Sequence, residues 1–503
     1  MNQKLLIFSV FIVASCGLAY ELIMSALSSY LLGDSILQFS TIIGTYLFAM
    51  GVGAGLSKFV KEEQLIERFI DIEILIGFIG GISAIILMMV FFYLPPSFKV
   101  SLYGLVFIIG SMVGMEIPIV MRLLYRDGQE LKEMISKVLS FDYLGALFVS
   151  LMFPLVFMPY IGINRTAIVF GLTNLAIGVL TLISFKNKIP IKKWNLKILS
   201  ILITTIILLG LMIYSNKISN YAEQGLYGSE IVFSKTTKYQ KLFVTKHKSD
   251  IRLYINGNLQ FSTKDEHRYH EALVHPILQA HPNPRNILIL GGGDGLAARE
   301  VLKNSHVETI TLVDLDPDMT ELFKTNQMLI EINKNSLNNT KVKVINSDAS
   351  KWLETNNNFY DIIIVDFPDP SNYALGKLYS TAFYSLVKQN LAENGLGSIQ
   401  STSPYFAPHV YWTVNATLKE VGFKVKPYHV YVPSFGDWGF FIISNKPYKI
   451  PTVNEKDFDF LNNDIIQNMF VFPKDMPELK MIPNTLNNQS VVEHFTKDWE
   501  SAY

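Results

Sequence analysis

The chain has 503 residues, half of them hydrophobic, and carries 43 basic and 43 acidic side chains for a formal net charge of zero. That balance offers no field to attract nucleic acid or another polyanion. Its one cysteine, Cys16, excludes an internal disulfide framework and a cysteine-based metal cluster.

At this length there is room for two or three domains, and the two halves read differently. Up to Tyr214 the chain holds seven apolar segments, near 5–25, 36–56, 70–94, 101–121, 140–161, 166–185 and 198–214. Each is long and apolar enough to cross a bilayer, so a multi-span helical membrane domain is predicted over 1–216. The first is too long, and too poor in a small-residue cleavage site, for a removable signal peptide. Lys58, Lys61 and Arg68 follow the second segment; Arg122, Arg126, Lys132 and Lys137 follow the fourth; Lys186, Lys188, Lys192, Lys193 and Lys197 follow the sixth. The alternate loops hold only Lys99 and Arg165. The positive-inside rule then puts the N-terminus in the cytoplasm and everything after the seventh span on the opposite face. A cell-membrane, multi-pass location follows, but that face suits nucleotide chemistry poorly, and the side is left open.

Glu21, Glu73, Glu116 and Asp142 lie within or at the ends of these segments. Carboxylates at membrane depth are costly, and they mark either a cation path or pairing between helices. Pairing or snorkelling is the preferred reading for Glu73 and Asp142, which stand nearest the ends. Both readings stay open for Glu21 and Glu116.

Residues 229–275 alternate in polarity, and Asn256-Gly257 is a hairpin-turn signal, so a small antiparallel β unit is predicted there. Over 276–450 the pattern becomes strand 286–291, helix 296–303, strand 308–314, helix 318–333 and strand 342–347. Strand 360–366, helix 380–391, strand 395–402, helix 409–421 and strands near 425–432 and 438–444 complete it, leaving 451–503 as an extension. Such βα alternation implies a doubly wound, Rossmann-like parallel sheet with its ligand over the carboxyl ends of the strands. His267, His270, His275 and His281 fall close together without a metal-binding pattern, and no metal is expected.

One acid follows each of four successive strands: Asp294, Asp314, Asp348 and Asp366. The stretch NILILGGGD runs an apolar strand into three glycines and ends on Asp294. A helix start normally favours an anion, so a carboxylate there suggests a ligand with a cation at that point. Asp314 is placed to accept both hydroxyls of a ribose. Asp348-Ala349 is placed where an adenine edge would lie, with helix capping as the alternative for Asp348. Asp366, delivered by the apolar strand YDIIIVD, is a candidate base, and Pro368 and Pro370 hold Asp369 beside it.

The segments YQKLFV, INGNLQFSTKDEHRYHE, GGGDGLAAREVLK, VDLD, SDAS, YDIIIVDFPDP and LYSTAFY resemble successive motifs of the polyamine aminopropyltransferases, or spermidine synthases. LLGDS, FAMG, SPYFAPHVYW, VPSFGDWGF and FPKDMPELK are similar to the bacterial subgroup fused to an N-terminal multi-span domain. The resemblance implies transfer of an aminopropyl group from decarboxylated S-adenosylmethionine, a co-substrate, to a diamine, usually putrescine. Spermidine and methylthioadenosine are the implied products, with no other cofactor. It implies donor contacts from Gln240, Gln260, Asp294, Asp314, Asp348 and Ala349. Asp366 is implied as the base, oriented with Tyr269, and His270, Asp369 and Trp438 as the acceptor side. Departures occur at Asp366-Phe367-Pro368-Asp369 for Asp-Ser-Ser-Asp, Leu296 for a glycine, Asp314 for a glutamate and Ala349 for a glycine.

Two other functions compete. A methyltransferase donor would bring an α-carboxylate against Asp294, a contact unfavourable by about 4 kcal/mol at ~4 Å and an effective dielectric near 20. A polyamine transporter or sensor would use Glu21 and Glu116, with the second half only binding ligand. Expected partners are a diamine and the lipid bilayer, with no nucleic acid; self-association into a homo-oligomer is left open.

Overall fold

The structure is a computed structural model describing residues 3–32, 35–126, 130–227, 229–449 and 458–502. Positions 33–34 of the LLGDS segment and 450–457, where the extension begins, lie outside the described residues. The chain divides into two compact units, Met1–Ser229 and Glu230–Tyr503.

The first unit is helical: α1 Gln3–Leu32, α2 Ser35–Leu56, α3 Leu65–Tyr93, α4 Phe98–Arg126, α5 Leu131–Met152, α6 Ile163–Ser184 and α7 Ile191–Tyr227. A π-helical stretch, Phe153–Ile161, extends α5. Seven helices among the described residues are long and apolar enough to cross a membrane. Those of α1, α3 and α6 are the most buried, whereas α2, α5 and α7 keep most of their apolar surface outward. Where α2 meets α4 the backbones touch: a Cβ on Gly114 would lie 2.1 Å from the Met50 carbonyl oxygen. Small residues permit that approach, as in helices that pack without a hydrophobic drive between them.

The basic loops gather at one end of this bundle. Arg122, near the end of α4, donates to the carbonyls of Ser57 (2.9 Å) and Val60 (2.7 Å) and pairs with Glu62. Lys193, at the start of α7, meets Glu67 at 2.7 Å, and Lys197 meets Asp71. At the opposite end Arg165 of α6 reaches Ser215 of α7 at 3.3 Å. Glu73, expected near a helix end, is instead fully buried, because α3 begins at Leu65 and carries it inward.

The second unit opens with an antiparallel sheet, β1 Glu230–Thr236, β2 Lys241–His247, β3 Asp250–Ile255 and β4 Asn258–Ser262, in that order. The expected β unit ends there: its last residues belong to helix α8, Glu266–Ala280. Tyr269, Ala272, Leu273 and Ile277 recur at helical spacing and are buried, so a 3.6-residue period displaces the alternation.

A seven-stranded sheet follows. It contains β5 Asn286–Gly291, β6 Thr309–Asp314, β7 Val342–Asn346, β8 Tyr360–Asp366, β9 Leu391–Ser401, β10 Lys424–Val432 and β11 Gly436–Ser444. The spatial order is β10-β11-β9-β8-β5-β6-β7. The sheet is mixed rather than wholly parallel, since β11 runs antiparallel to both β9 and β10. The link from Val432 to Gly436 is too short for a crossover, so it makes a hairpin. Helices α9 Leu296–Val301, α10 Pro317–Thr325, α11 Gln327–Asn333, α12 Ala349–Thr355, α13 Tyr373–Gly376, α14 Thr381–Asn390 and α15 Pro408–Glu420 intervene. The single helix expected over 318–333 breaks at Asn326, whose side chain accepts from Met328 N (3.1 Å) and Leu329 N (3.4 Å) and starts α11. Two further helices, α16 Asn463–Asn468 and α17 Ser490–Ala502, lie in the extension.

The unbroken apolar run of β5 has a plain cause. Ile287 and Ile289 enter one core, with α8 and α9, while Leu288 and Leu290 enter another, with α14 and α15. A strand covered on both faces cannot alternate. The chain winds outward from β5 through β6 and β7, then returns to β8 on its other side. That reversal puts the switch point between the carboxyl ends of β5 and β8.

Candidate active site

At the switch point the strand ends are tied together by backbone. Gly291 and Gly292 adopt φ of 84° and 64°, and Gly292 N donates to the carbonyl oxygen of Asp366 at 3.2 Å. A Cβ on Gly291 would fall 2.1 Å from that oxygen, so only glycine permits the closure. The turn brings Asp294, Asp314 and Asp366 into electrostatic contact at the strand ends.

Each acid is held differently. Asp294 accepts from Leu296 N at 2.9 Å; burial raises its pKa to about 6, against the opposing pull of His270. Asp314 ends β6 and accepts from Gly293 N (3.1 Å) and Asp316 N (2.9 Å), yet burial and its acidic neighbours still lift it to about 6. Asp366 ends β8, and the Tyr269 hydroxyl donates to its Oδ1 at 2.6 Å. Burial outweighs that bond and the charge of His270, leaving Asp366 above the usual carboxylate range. Asp369 is raised to about 7 by burial, in spite of Thr402 and Gln400 beside it, and its Oδ1 has no partner among the described residues.

One cation faces these acids. His270 directs Nδ1 to Glu266 Oε2 at 2.8 Å, and Arg299 grips Glu266 with two bonds of 2.8 and 2.9 Å. Burial alone would lower the imidazole, but Glu266, Asp294 and Asp366 carry it up to about 9. It is therefore an imidazolium at neutral pH, its Nδ1 occupied by Glu266.

An aromatic wall closes the side near Asp366. Asp265, before α8, accepts from the Ser434 amide at 2.6 Å and hydroxyl at 2.9 Å, fixing the loop that carries Phe435. The Phe435 ring then lies 6.0 Å from Tyr269 and 5.1 Å from Trp438. Trp438 Nε1 donates to Gln400 Oε1 at 3.2 Å, and the Gln400 amide donates to the Phe367 carbonyl and, at 3.0 Å, to the Tyr379 hydroxyl. Glu271 anchors the extension by accepting from the amides of Asp459, Phe460 and Leu461 at 2.9 to 3.0 Å.

Residues 266–457 match the Spermine/spermidine synthase domain. Over all of this chain and 99% of its relative, the sequence is 50% identical to polyamine aminopropyltransferase 2 of Ralstonia nicotianae. It is 47% identical to the polyamine aminopropyltransferase of Leptospira interrogans, over 99% of each chain. The chain belongs to the polyamine aminopropyltransferase family. A spermidine synthase structure from Thermotoga maritima aligns with 48% of this chain and 84% of its own, at 24% identity and a TM-score of 0.43. The full-length matches include the helical unit, so its fusion to the aminopropyltransferase unit is shared with these relatives.

Within this aminopropyltransferase the remaining expected residues are dispersed. Asp348 caps α12, accepting from Ser350 N (2.9 Å) and Lys351 N (3.3 Å), and pairs with Lys377 at 2.7 Å. Burial pushes against ionisation there, but Lys377 and the two amides keep it below the usual range. Ala349 opens that helix and is buried. Gln240 sits in the β1–β2 turn, whose Thr237 hydroxyl reaches Asp316 at 2.8 Å, close to Asp314 in sequence. Gln260 donates to the carbonyls of Asn258 and Leu259, 3.2 and 3.3 Å away on its own strand. No hydrogen bond joins either glutamine to the acids among the described residues.

Gln400, Tyr379, Phe435, Glu266 and Arg299 were not anticipated. Gln400 could have been found, since it stands at the carboxyl end of a strand like the acids. Glu266 opens α8 and Arg299 lies in the last turn of α9, so the two meet only through the fold.

Proposed function

We propose that this enzyme transfers the aminopropyl group of decarboxylated S-adenosylmethionine, the family's co-substrate, to putrescine, with Asp366 as base. The observation that carries the reading is the Tyr269–Asp366 contact of 2.6 Å in a recess where Asp294, Asp314 and Asp369 also gather. Such a recess complements a donor and an acceptor that are both cationic.

In this reading the nucleoside lies on the glycine turn, with the ribose hydroxyls on Asp314. Its adenine edge is at Asp348 and Ala349, and Gln240 and Gln260 are further donor contacts. Asp294 takes the ammonium end of the aminopropyl chain. Putrescine enters past Trp438, with one ammonium held at Asp369 near His270 and the other directed at the carbon bonded to sulfur. An alkyl ammonium loses its proton near ~10.4 in water, so freeing the lone pair at neutral pH costs about 5 kcal/mol. Asp366, kept above the ordinary carboxylate range, accepts that proton as attack proceeds, and Tyr269 fixes its Oδ1. The new C–N bond forms as the C–S bond breaks. Its electron pair returns to sulfur, leaving neutral methylthioadenosine. No covalent intermediate is needed, because the sulfonium is already a good leaving group.

The seven apolar helices are read as spans that hold the enzyme in the cell membrane. The test is an assay of the purified full chain with labelled decarboxylated donor and a panel of diamines. Label should pass to putrescine in preference to longer or shorter diamines. Methyl transfer from S-adenosylmethionine without aminopropyl transfer would overturn the reading.

A further inference from the structure

Two acids of the helical unit take no part in this chemistry, yet they meet inside the bundle. Glu73 of α3 is 0% exposed and Glu116 of α4 is 2% exposed, and their carboxyls face each other. Both oxygens of Glu73 and Oε2 of Glu116 have no hydrogen-bond partner in regular geometry among the described residues. Asn174 of α6, 1% exposed, adds an amide oxygen in the same condition.

Three contacts place Asn174 with the pair. Its Nδ2 reaches the Tyr20 hydroxyl at 3.4 Å, and Tyr20 is in electrostatic contact with both glutamates. One turn along α6, a Cβ on Gly178 would stand 3.6 Å from the Cβ of Glu73. The titratable groups facing the pair from other helices are Cys16 and Tyr20 of α1, Tyr46 of α2 and Asp142 of α5. Tyr46 donates its hydroxyl to the Gly17 carbonyl at 2.8 Å. Every one of these groups is neutral or acidic, so nothing among them supplies a positive charge.

Buried carboxylates persist where a cation or proton compensates them. With both carboxyls ionised, these four oxygens accept and none donates, which calls for a charged donor. Hard divalent metals collect six or more oxygens. A primary ammonium brings three N–H donors and one charge, and an aromatic face such as that of Tyr20 adds attraction. We propose that Glu73, Glu116 and Asn174 form a second amine site, taking the ammonium end of an alkyl amine within the helical unit. A proton stands in when the site is empty and leaves as the amine enters. The need for a proton or a cation at the pair stands on the bundle alone; the choice of an amine rests on reading the enzyme as one that works on amines.

Equilibrium dialysis of the full chain with labelled putrescine tests this, in an Asp366→Asn/Asp369→Asn background that weakens the transfer site. One putrescine should bind per chain, and about tenfold or more weaker in Glu73→Gln and Glu116→Gln. Methylammonium should compete and sodium should not. Unchanged binding in variants that keep the parent melting temperature overturns the proposal, as does competition by sodium instead of methylammonium. Asn174→Ala leaves both carboxyls in place, so it serves if a glutamine variant fails to fold; unchanged binding there is equally fatal. Transfer activity of the wild-type chain is measured in parallel. Its loss would unseat the enzymatic reading, whereas the amine site is judged on the dialysis alone.

Discussion

Asp366 and Asp369 stand three residues apart and are given separate tasks, which their substitution should separate. Asp366→Asn is expected to lower kcat by 10²–10⁴, about the share of a general base, with donor affinity retained in equilibrium binding. Tyr269→Phe should cost less, because it removes only the 2.6 Å bond that orients Asp366. Asp369→Asn should act mainly on the KM of the amine. The pH dependence has a definite sign. Asp369 is raised to about 7 and Asp294 to about 6, so both take up protons as pH falls through that range. The amine stays protonated up to ~10.4. Affinity for a cation therefore grows as these carboxyls ionise, and kcat/KM should rise between about pH 6 and 8. A flat profile across that interval would remove the acids from amine recognition. Much of this site was legible in the sequence, because a strand ending on a polar residue announces what it delivers. What was hidden is how each residue is held: Asp348 as a cap paired with Lys377, and His270 as a cation bound to Glu266.

At the scale of elements, α8 and α9 are joined by charges that neither helix announces. Arg299 bonds Glu266 and Glu300, Glu266 bonds His270, and Glu300 bonds His275 at 2.9 Å, all with side chains nearly removed from solvent. Breaking such a network strands a buried charge. Arg299→Met should cost about 3–5 kcal/mol in chemical denaturation. The pH limits follow from the same pair. His270 is raised to about 9 and binds its proton more tightly when folded, so its contribution is complete below 6.5 and fades as pH rises through 9. Glu266 is lowered to about 2, so its contribution is present above 4.5 and fades as pH falls through 2. Melting curves of Glu266→Gln should lose this dependence at both ends. Periodicity found β5 and β8 because apolar runs of that length fit few other elements. It carried the β unit on through 266–275, where the buried residues recur at helical rather than alternating spacing. It also missed the antiparallel direction of β11, which depends on the length of a turn rather than on any strand.

For the whole molecule, the helical unit sharpens a question of sides. Arg122, Lys193 and Lys197 meet at one end of the bundle, and Ser215 of α7 lies at the other. If those basic loops face the cytoplasm, a reporter fused after Tyr503 should give the signal of the opposite face. A cytoplasmic signal would mean that one of the seven helices does not span. Stability of the whole chain carries a second expectation. Asp294, Asp314 and Asp369 are raised from 3.8 to about 6, 6 and 7, so the fold binds more protons than the unfolded chain between those values. The ligand-free protein should therefore lose stability as pH climbs from about 4 to 7. Donor should restore it, seen as a melting temperature that rises with donor concentration. The crowding of acids at these strand ends thus reaches beyond turnover. Inside a cell, the form without co-substrate opens more often and meets proteases first. The enzyme's lifetime then becomes a gauge of its donor supply, set by the same carboxyls proposed to bind it.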